Sequence, residues 1–327
     1  MINNEDKEYL NNPYYSLALE KYYDPDRFSE RDWEAVMNLR EDIIDSNGTV
    51  DQAYPYTNEK LGEMFEKLDK KSSRVLTVGS SGDQLLNAIF HGAKDLTLID
   101  ANLYARYWTE YKIAGIKNFS FANFKFYFLS RSPLLNRTNM FHPNVYQAIF
   151  QDLSPDAQAF FGTLILNGET PSNMYKAILG RDDFKIADLD SKFYKDEESY
   201  KKLQKILHRG NYKVNFITAK FSDFADEVDG KFDLILLSNI CKYVNADEYV
   251  DVVNTLYDDH LKSGGKIQLH YDYRNMTKIQ SPYYRGAFPD KKIVGMPLAG
   301  YHFTYMMEKP HQNEIEQKNS EEPDLGK

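Results

Sequence analysis

The sequence predicts an α/β fold built on a mostly parallel sheet, and three stretches carry that prediction. Arg74-Val-Leu-Thr-Val78 is an apolar run of strand length, broken by Gly79-Ser-Ser-Gly82. Leu96-Thr-Leu-Ile-Asp100 is a second such run and ends on a carboxylate. Phe232-Asp-Leu-Ile-Leu-Leu237 is almost wholly apolar, which suits a parallel strand covered on both faces. Helical periodicity fills much of the chain between them.

The residues up to Asp26 are polar, rich in tyrosine and without a clear period. Ser29-Glu-Arg-Asp32 has the character of a capping box, and Trp33, Val36, Met37, Ile43 and Ile44 follow at helical spacing until Asn47-Gly48. Thr57 is placed to cap a second helix, whose apolar stripe is Leu61, Met64, Phe65 and Leu68. Tyr54-Pro55-Tyr56, just before it, would either cover a ligand or pack against the sheet edge.

After the first strand, Leu85, Leu86 and Ile89 take helical spacing, and Gly92 is placed as the C-terminal cap. The Gly79–Gly82 turn lets a ligand approach the backbone, and the helix start presents N–H groups to it. A Cβ at Gly82 would stand in that ligand's path. Asp100 arrives 21 residues after Gly79, where a carboxylate can accept both hydroxyls of a ribose. The pattern is that of a nucleotide-type cofactor site. A dinucleotide fingerprint wants three glycines, whereas two are present here and Asp83 stands at the helix start. A carboxylate there repels a pyrophosphate and favours an ammonium or sulfonium, which places S-adenosylmethionine (SAM) ahead of NAD.

A long helix is predicted from Leu103 to Ile116. The run from Lys117 to Arg131 then holds six aromatic residues, three cations and no acid. It reads either as a membrane-surface or substrate-binding face, or as a buried, irregularly amphipathic segment with snorkelling cations. Asn167-Gly168 and Pro171-Ser172 mark turns, and Tyr200, Leu203, Ile206 and Leu207 ride a helix that stops near Gly210. Residues 103–210 are therefore expected to form a mainly helical insertion after the second strand. Its aromatic residues Tyr107, Tyr111, Phe124 and Tyr127 are candidates to line an acceptor pocket, because a segment this long between strands is usually functional.

The α/β rhythm resumes at Val214-Asn-Phe-Ile-Thr218, followed by Phe221-Ser-Asp-Phe224. The Phe232–Leu237 strand ends at Ser238-Asn239-Ile240. Asn245 with Glu248 starts a helix carrying Tyr249, Val252, Val253 and Leu256. Gly264-Gly265 is expected to turn into the strand Ile267-Gln-Leu-His-Tyr271, and Ile293-Val294 with His302–Met306 suggest a closing antiparallel pair. Three parts are expected: an N-terminal helical extension over 1–70, a cofactor domain over 71–308, and a disordered acidic tail over 309–327.

Composition narrows the class. The 327 residues are 42% hydrophobic and 27% charged, with a net charge of −9, which disfavours a nucleic-acid-binding surface. No apolar run approaches membrane-span length, the N-terminus lacks signal-peptide character, and the single Cys241 forms no disulfide within the chain. A cytoplasmic protein is the expectation. Twenty-five tyrosines and 20 phenylalanines exceed what a core needs, so some tyrosines should line a site. The histidines lack metal-ligand spacing, and no metal is expected.

The order of parts resembles the class I SAM-dependent methyltransferase superfamily over residues 72–102 and 213–308. That resemblance implies a Rossmann-like, mostly parallel seven-stranded sheet with the large helical insertion after strand two. It implies that Gly79, Ser80 and Gly82 line the methionine part of SAM and that Asp100 holds the ribose. Asp223 and Phe224 would bound the adenine, with Ser238, Asn239 and Ile240 beneath the sulfonium. A narrower likeness lies in Val75–Asp83, Ile99-Asp-Ala101-Asn102, Tyr111-Lys-Ile-Ala-Gly-Ile116 and Leu237-Ser-Asn-Ile-Cys-Lys-Tyr-Val244. These segments resemble the betaine-lipid type of 3-amino-3-carboxypropyltransferase, which implies transfer of the amino acid arm of SAM to a lipid acceptor with peripheral membrane contact. Asp83, Ala101 and Asn102 complete the expected cofactor residues.

A sulfonium carries its own leaving group, so transfer from SAM needs an oriented nucleophile and, for a hydroxyl or ammonium acceptor, a base. Tyr243, His270 and Asp272, with Tyr271 and Tyr273, lie within sequence reach of the ends of strands four and five. Each is a candidate, although packing or surface is the commoner role for such a residue. Two other classes stay open: a SAM-binding regulatory or scaffold protein without turnover, and an NAD-binding oxidoreductase.

Overall fold

A computed structural model describes residues 53–68, 72–129, 139–166, 174, 178–179, 189–272 and 286–311. The expected helix after Ser29, the turns at Asn167-Gly168 and Pro171-Ser172, Tyr273 and the tail beyond His311 lie outside the described residues. The strands are β1 Arg74–Val78, β2 Asp95–Asp100, β3 Lys213–Thr218, β4 Phe232–Leu236, β5 Leu261–Asp272, β6 Lys292–Leu298 and β7 His302–Glu308. The longer helices are α1 Leu61–Lys67, α2 Asp83–Phe90, α3 Leu103–Asn118, α4 Pro143–Ile149, α5 Pro155–Leu166, α6 Glu197–Arg209 and α7 Ala246–His260. The chain divides into two units. Of the described residues, those in 59–78, 87–101 and 211–311 form a sheet unit, and those in 53–58, 79–86 and 102–210 form a helical unit.

The sheet unit carries all seven strands in the order β3-β2-β1-β4-β5-β7-β6. β1 to β5 run parallel, while β7 lies antiparallel to both β5 and β6. The expected mostly parallel sheet with a closing antiparallel pair is the one observed. β1 sits centrally because Val75 and Leu76 are wholly buried, and both neighbours are apolar. β6 carries Pro297, which an edge strand tolerates because its missing N–H interrupts no central ladder. Leu76, Ile99, Phe224, Ile235, Leu256 and Ile267 belong to one core cluster. α7 presents Tyr249, Val252, Val253 and Leu256 to it, and its Asn245 cap accepts from the Asp247 N–H at 2.8 Å.

Two local expectations differ from the structure. α1 begins at Leu61 with Lys60 at its N-cap and no side-chain cap, so Thr57 does not start it. The Gly264-Gly265 pair is no turn before a strand, since β5 already runs from Leu261. Between the pairs Phe232↔Leu261 and Leu234↔Lys266 the register shifts. Gly264, at φ +73°, absorbs that irregularity while its N–H bonds the Lys309 carbonyl at 2.9 Å.

The helical unit is built around α3. Tyr107, Trp108 and Tyr111 are wholly buried or nearly so. The Tyr107 ring stacks on Phe160 and the Tyr111 ring meets Phe161, each with centroids 4.5 Å apart. The carboxyl end of α3 would expose carbonyl oxygens. Tyr200 donates to the Phe119 carbonyl at 2.9 Å, and Gln204 Nε2 donates to that of Ile116 at 2.8 Å, so α6 closes that end. α6 itself stops at Gly210 in the left-handed conformation, as expected.

Of the two readings of the aromatic run, the second describes residues 117–129. Phe124 and Phe128 are buried and stack at 4.5 Å, and Lys117 reaches Asp152. Phe126 remains exposed. The run takes a short helix, Phe121–Phe124, followed by a π-helical turn, Lys125–Leu129. Gly115 permits this packing, because a Cβ there would lie 2.5 Å from the Phe128 ring.

Candidate functional site

In the sheet unit the strand order reverses at β1, which has β2 on one side and β4 on the other. In an open α/β sheet such a switch point marks the ligand crevice, at the carboxyl ends of the strands. Asp100 closes β2 there, opposite Thr218 and half-buried, and its carbonyl accepts from the Ala219 N–H at 3.0 Å. Ala101 follows it, exposed.

After β3, Asp223 is exposed and accepts from Ser222 Oγ at 2.7 Å. Phe224 is buried in the core cluster against Phe221, with centroids 5.1 Å apart. After β4 the chain turns sharply, with Ser238 at φ +51°, a costly conformation for a residue with a Cβ. Three contacts involving side chains help to hold that turn. The Ser238 N–H donates to Gln268 Oε1 at 3.1 Å, its Oγ donates to the Glu59 carboxylate, and Asn239 Oδ1 accepts from the Tyr271 N–H at 3.2 Å. Ile240 and Cys241 are half-buried against the core cluster.

The candidate bases are not alike. Tyr243 is 69% exposed, whereas His270 and Asp272 are buried along β5. Tyr271, between them, accepts from the Lys60 N–H at 2.7 Å and pairs with His302 Nδ1 at 2.8 Å. The sequence reading missed Glu59, a carboxylate 1% exposed whose contact with Ser238 spans 179 residues. No local motif announces it.

The helical unit holds the turn that follows β1. The Gly82 N–H returns to the Gly79 carbonyl at 2.7 Å, with Ser80 at φ +43° and Gly82 at φ +75°. Asn102 has a local task, its Oδ1 accepting from the Tyr104 N–H at 2.8 Å as the N-cap of α3. Asp83 departs from expectation. Its carboxylate is fully buried and takes protein donors: Lys112 Nζ at 2.7 Å and Tyr194 OH at 2.6 Å on one oxygen, and the Thr57 N–H at 2.7 Å on the other. A charge so engaged is paired with a protein cation instead of being held for a cofactor.

Lys112 is equally buried. It gives one bond to Asp83 and one to the Ser81 carbonyl at 2.7 Å, and the Tyr56 ring lies under Nζ with its centroid 4.3 Å away. Burial lowers the lysine below its ordinary pKa, with Asp83 opposing the shift, and burial beside that carboxylate holds the Tyr194 phenol well above its own. Lys112 was also missed, although a signal exists. Trp108, Lys112 and Gly115 fall on one buried helical stripe, where a cation demands a partner. Tyr107, Tyr111 and Phe124 lie in the interior of this unit, while Tyr127 is half-buried.

No family model matches the chain, and no curated protein does. Among solved structures it is similar to a ribosomal protein L11 methylase from Lactobacillus delbrueckii subsp. bulgaricus, at 16% identity and TM-score 0.35, covering 77% of each chain. It is similar to the N-methyltransferase NodS from Bradyrhizobium japonicum, solved with S-adenosyl-L-homocysteine, at 10% identity and TM-score 0.36, over 85% of this chain and 100% of that one. A putative O-methyltransferase from Nostoc punctiforme gives 10% identity and TM-score 0.38, over 93% and 71%. These overlaps are shallow, and the class I methyltransferase-like fold of this chain rests on the strand order and register described above.

Proposed function

We propose that the chain is a SAM-dependent transferase that moves a methyl group to a small-molecule acceptor. One observation carries the reading. The strand order reverses at β1, and a glycine turn leaves that strand while a carboxylate, Asp100, ends its neighbour β2. In this reading Gly79, Ser80 and Gly82 border the methionine part and Asp100 accepts from the ribose hydroxyls. Ala101 and Asn102 continue that edge, Asp223 and the backbone at Phe224 border the adenine, and Ser238, Asn239 and Ile240 underlie the sulfonium. Asp83 supports the turn from within.

When bound, SAM supplies an electrophilic carbon on a positively charged sulfur. An acceptor lone pair forms the new bond while the carbon–sulfur bond breaks and its electron pair stays on sulfur. The acceptor proton goes to a base, for which Glu59 joins Tyr243, His270 and Asp272.

Replacing Asp100 by Asn keeps the shape and weakens two charge-assisted hydrogen bonds, each worth about 1.5–3 kcal/mol. SAM affinity should fall by at least about tenfold, equivalent to ~1.4 kcal/mol. Equal affinities by calorimetry would mean that Asp100 holds no ribose.

A second reading has its own support in the segments Tyr111–Ile116 and Leu237–Val244, which resemble the aminocarboxypropyltransferases. There the acceptor attacks the carbon of the amino acid arm, a lipid hydroxyl is the nucleophile, and 5′-methylthioadenosine leaves. Mass analysis of the nucleoside product after incubation with SAM and candidate acceptors separates the two. S-adenosylhomocysteine supports methyl transfer, methylthioadenosine supports the second reading, and tight SAM binding without turnover supports a regulatory protein.

A further inference from the structure

We propose that the buried pair Lys112–Asp83 sets the shape of the Gly79–Gly82 turn, making Lys112 a positioning residue for the cofactor. The inference rests on the cofactor reading above and extends it to a residue that would touch no ligand. The turn needs an outside support. Ser80 is held at φ +43°, unfavourable for a residue with a Cβ, while the Gly82 N–H to Gly79 C=O bond at 2.7 Å and the Asp83 N–H to Ser81 Oγ bond at 3.3 Å close the loop from within.

Lys112 supplies that support from α3. Its ammonium has three protons. One goes to the Ser81 carbonyl, inside the turn, and one to Asp83, the first residue after it, both at 2.7 Å. The third side of the ammonium lies over the Tyr56 ring, 4.3 Å from its centroid. A single side chain thus grips the turn at two points three residues or fewer from Ser80.

Asp83 extends the grip. Tyr194 donates to the oxygen that meets Lys112, at 2.6 Å, and the Thr57 N–H donates to the other at 2.7 Å. The segment preceding the sheet, the turn, α3 and the short helix Lys192–Lys195 therefore converge on one carboxylate. Lys112 and Asp83 are both fully buried, so water cannot replace a lost partner. Fixing the turn fixes Tyr194 as well. Cofactor affinity and the order of the Tyr194 segment become two readouts of one network.

The test separates holding the turn from holding the fold. Lys112→Met alone leaves Asp83 as an uncompensated buried charge. The double variant Lys112→Met/Asp83→Asn removes both charges, and its amide oxygen can still accept from the Thr57 N–H while its NH2 donates to the Tyr194 hydroxyl oxygen. We expect the double variant to recover most of the urea midpoint lost by the single one, while its S-adenosylhomocysteine Kd stays at least tenfold above wild type by calorimetry. A folded double variant that binds within twofold of wild type overturns the proposal.

Where the double variant does not fold, Tyr194→Phe decides. Loss of that hydroxyl should raise the Kd threefold or more with a near-native midpoint, and an unchanged Kd overturns the proposal. A wild-type protein that binds no S-adenosylhomocysteine is recognised before any variant is compared. It overturns the cofactor reading itself, and this inference with it.

Discussion

Replacing Lys112 by Met should cost about 3–5 kcal/mol of folding stability, the range seen when one partner of a buried ion pair is removed. Neither Lys112 nor Asp83 is reached by water, so the loss is not cushioned by solvent as it would be at the surface. Three contributions act together. Asp83 keeps the Tyr194 and Thr57 donors but loses the cation that neutralises it. The Ser81 carbonyl loses its donor, and an unsatisfied buried acceptor costs about 1–3 kcal/mol. The aromatic wall of Tyr56 and Trp108 also loses a cation at 4.3 and 5.3 Å from its ring centroids. Part of this returns as burial of the methionine side chain, which is why the upper end of the range is not exceeded. Urea unfolding followed by circular dichroism measures the change. A loss below about 1 kcal/mol would mean that the Asp83 carboxylate is reached by solvent once Lys112 is gone.

What the sequence shows and what it hides follow from the range of the interaction concerned. β1, β2 and β4 are legible because a buried strand must be apolar along its own length, and Gly79–Gly82 because a turn is written in adjacent residues. Gly210 ending α6 is legible for the same reason. The misreadings all involve partners far away in the chain. The Gly264-Gly265 pair looks like a turn, but Lys309 bonds both residues and keeps them in a strand. Thr57 looks like a helix cap, yet its N–H is drawn to Asp83. Asp83 looks like a free anion at a helix start, and its cation sits 29 residues on while its tyrosine sits 111 residues on. Glu59 has no local signature because Ser238 gives it its role across 179 residues. Local chemistry could place the turn at the end of β1. It could not show what stands behind that turn.

Gly82→Val illustrates the difference, and its expected outcome has changed with the structure. From the sequence alone, a Cβ at Gly82 stands in the ligand's path and is expected to leave the fold largely intact. In the structure the added Cβ would meet Thr109 of α3, 2.4 Å from Oγ1 and 2.9 Å from Cγ2. The clash is therefore with the interior. Two penalties follow. Gly82 sits at φ +75°, where an L-residue pays roughly 1–2 kcal/mol and a β-branched one sits at the upper end. Forcing extra carbon into a packed site adds about 1–3 kcal/mol. Thr109 cannot easily turn away, because its hydroxyl donates to the Ala105 carbonyl at 2.7 Å and the residue is fully buried. Gly82→Val should accordingly lose about 2–5 kcal/mol of stability together with cofactor binding. A cycle with the milder Gly82→Ala tests the cause. Thr109→Ala removes the two atoms nearest the new Cβ, so the double variant should be more stable than the sum of the singles by about 1 kcal/mol, a coupling typical of residues in contact. If the two substitutions instead add within error, the loss at Gly82 comes from backbone conformation alone, and the packing of Thr109 against the turn plays no part.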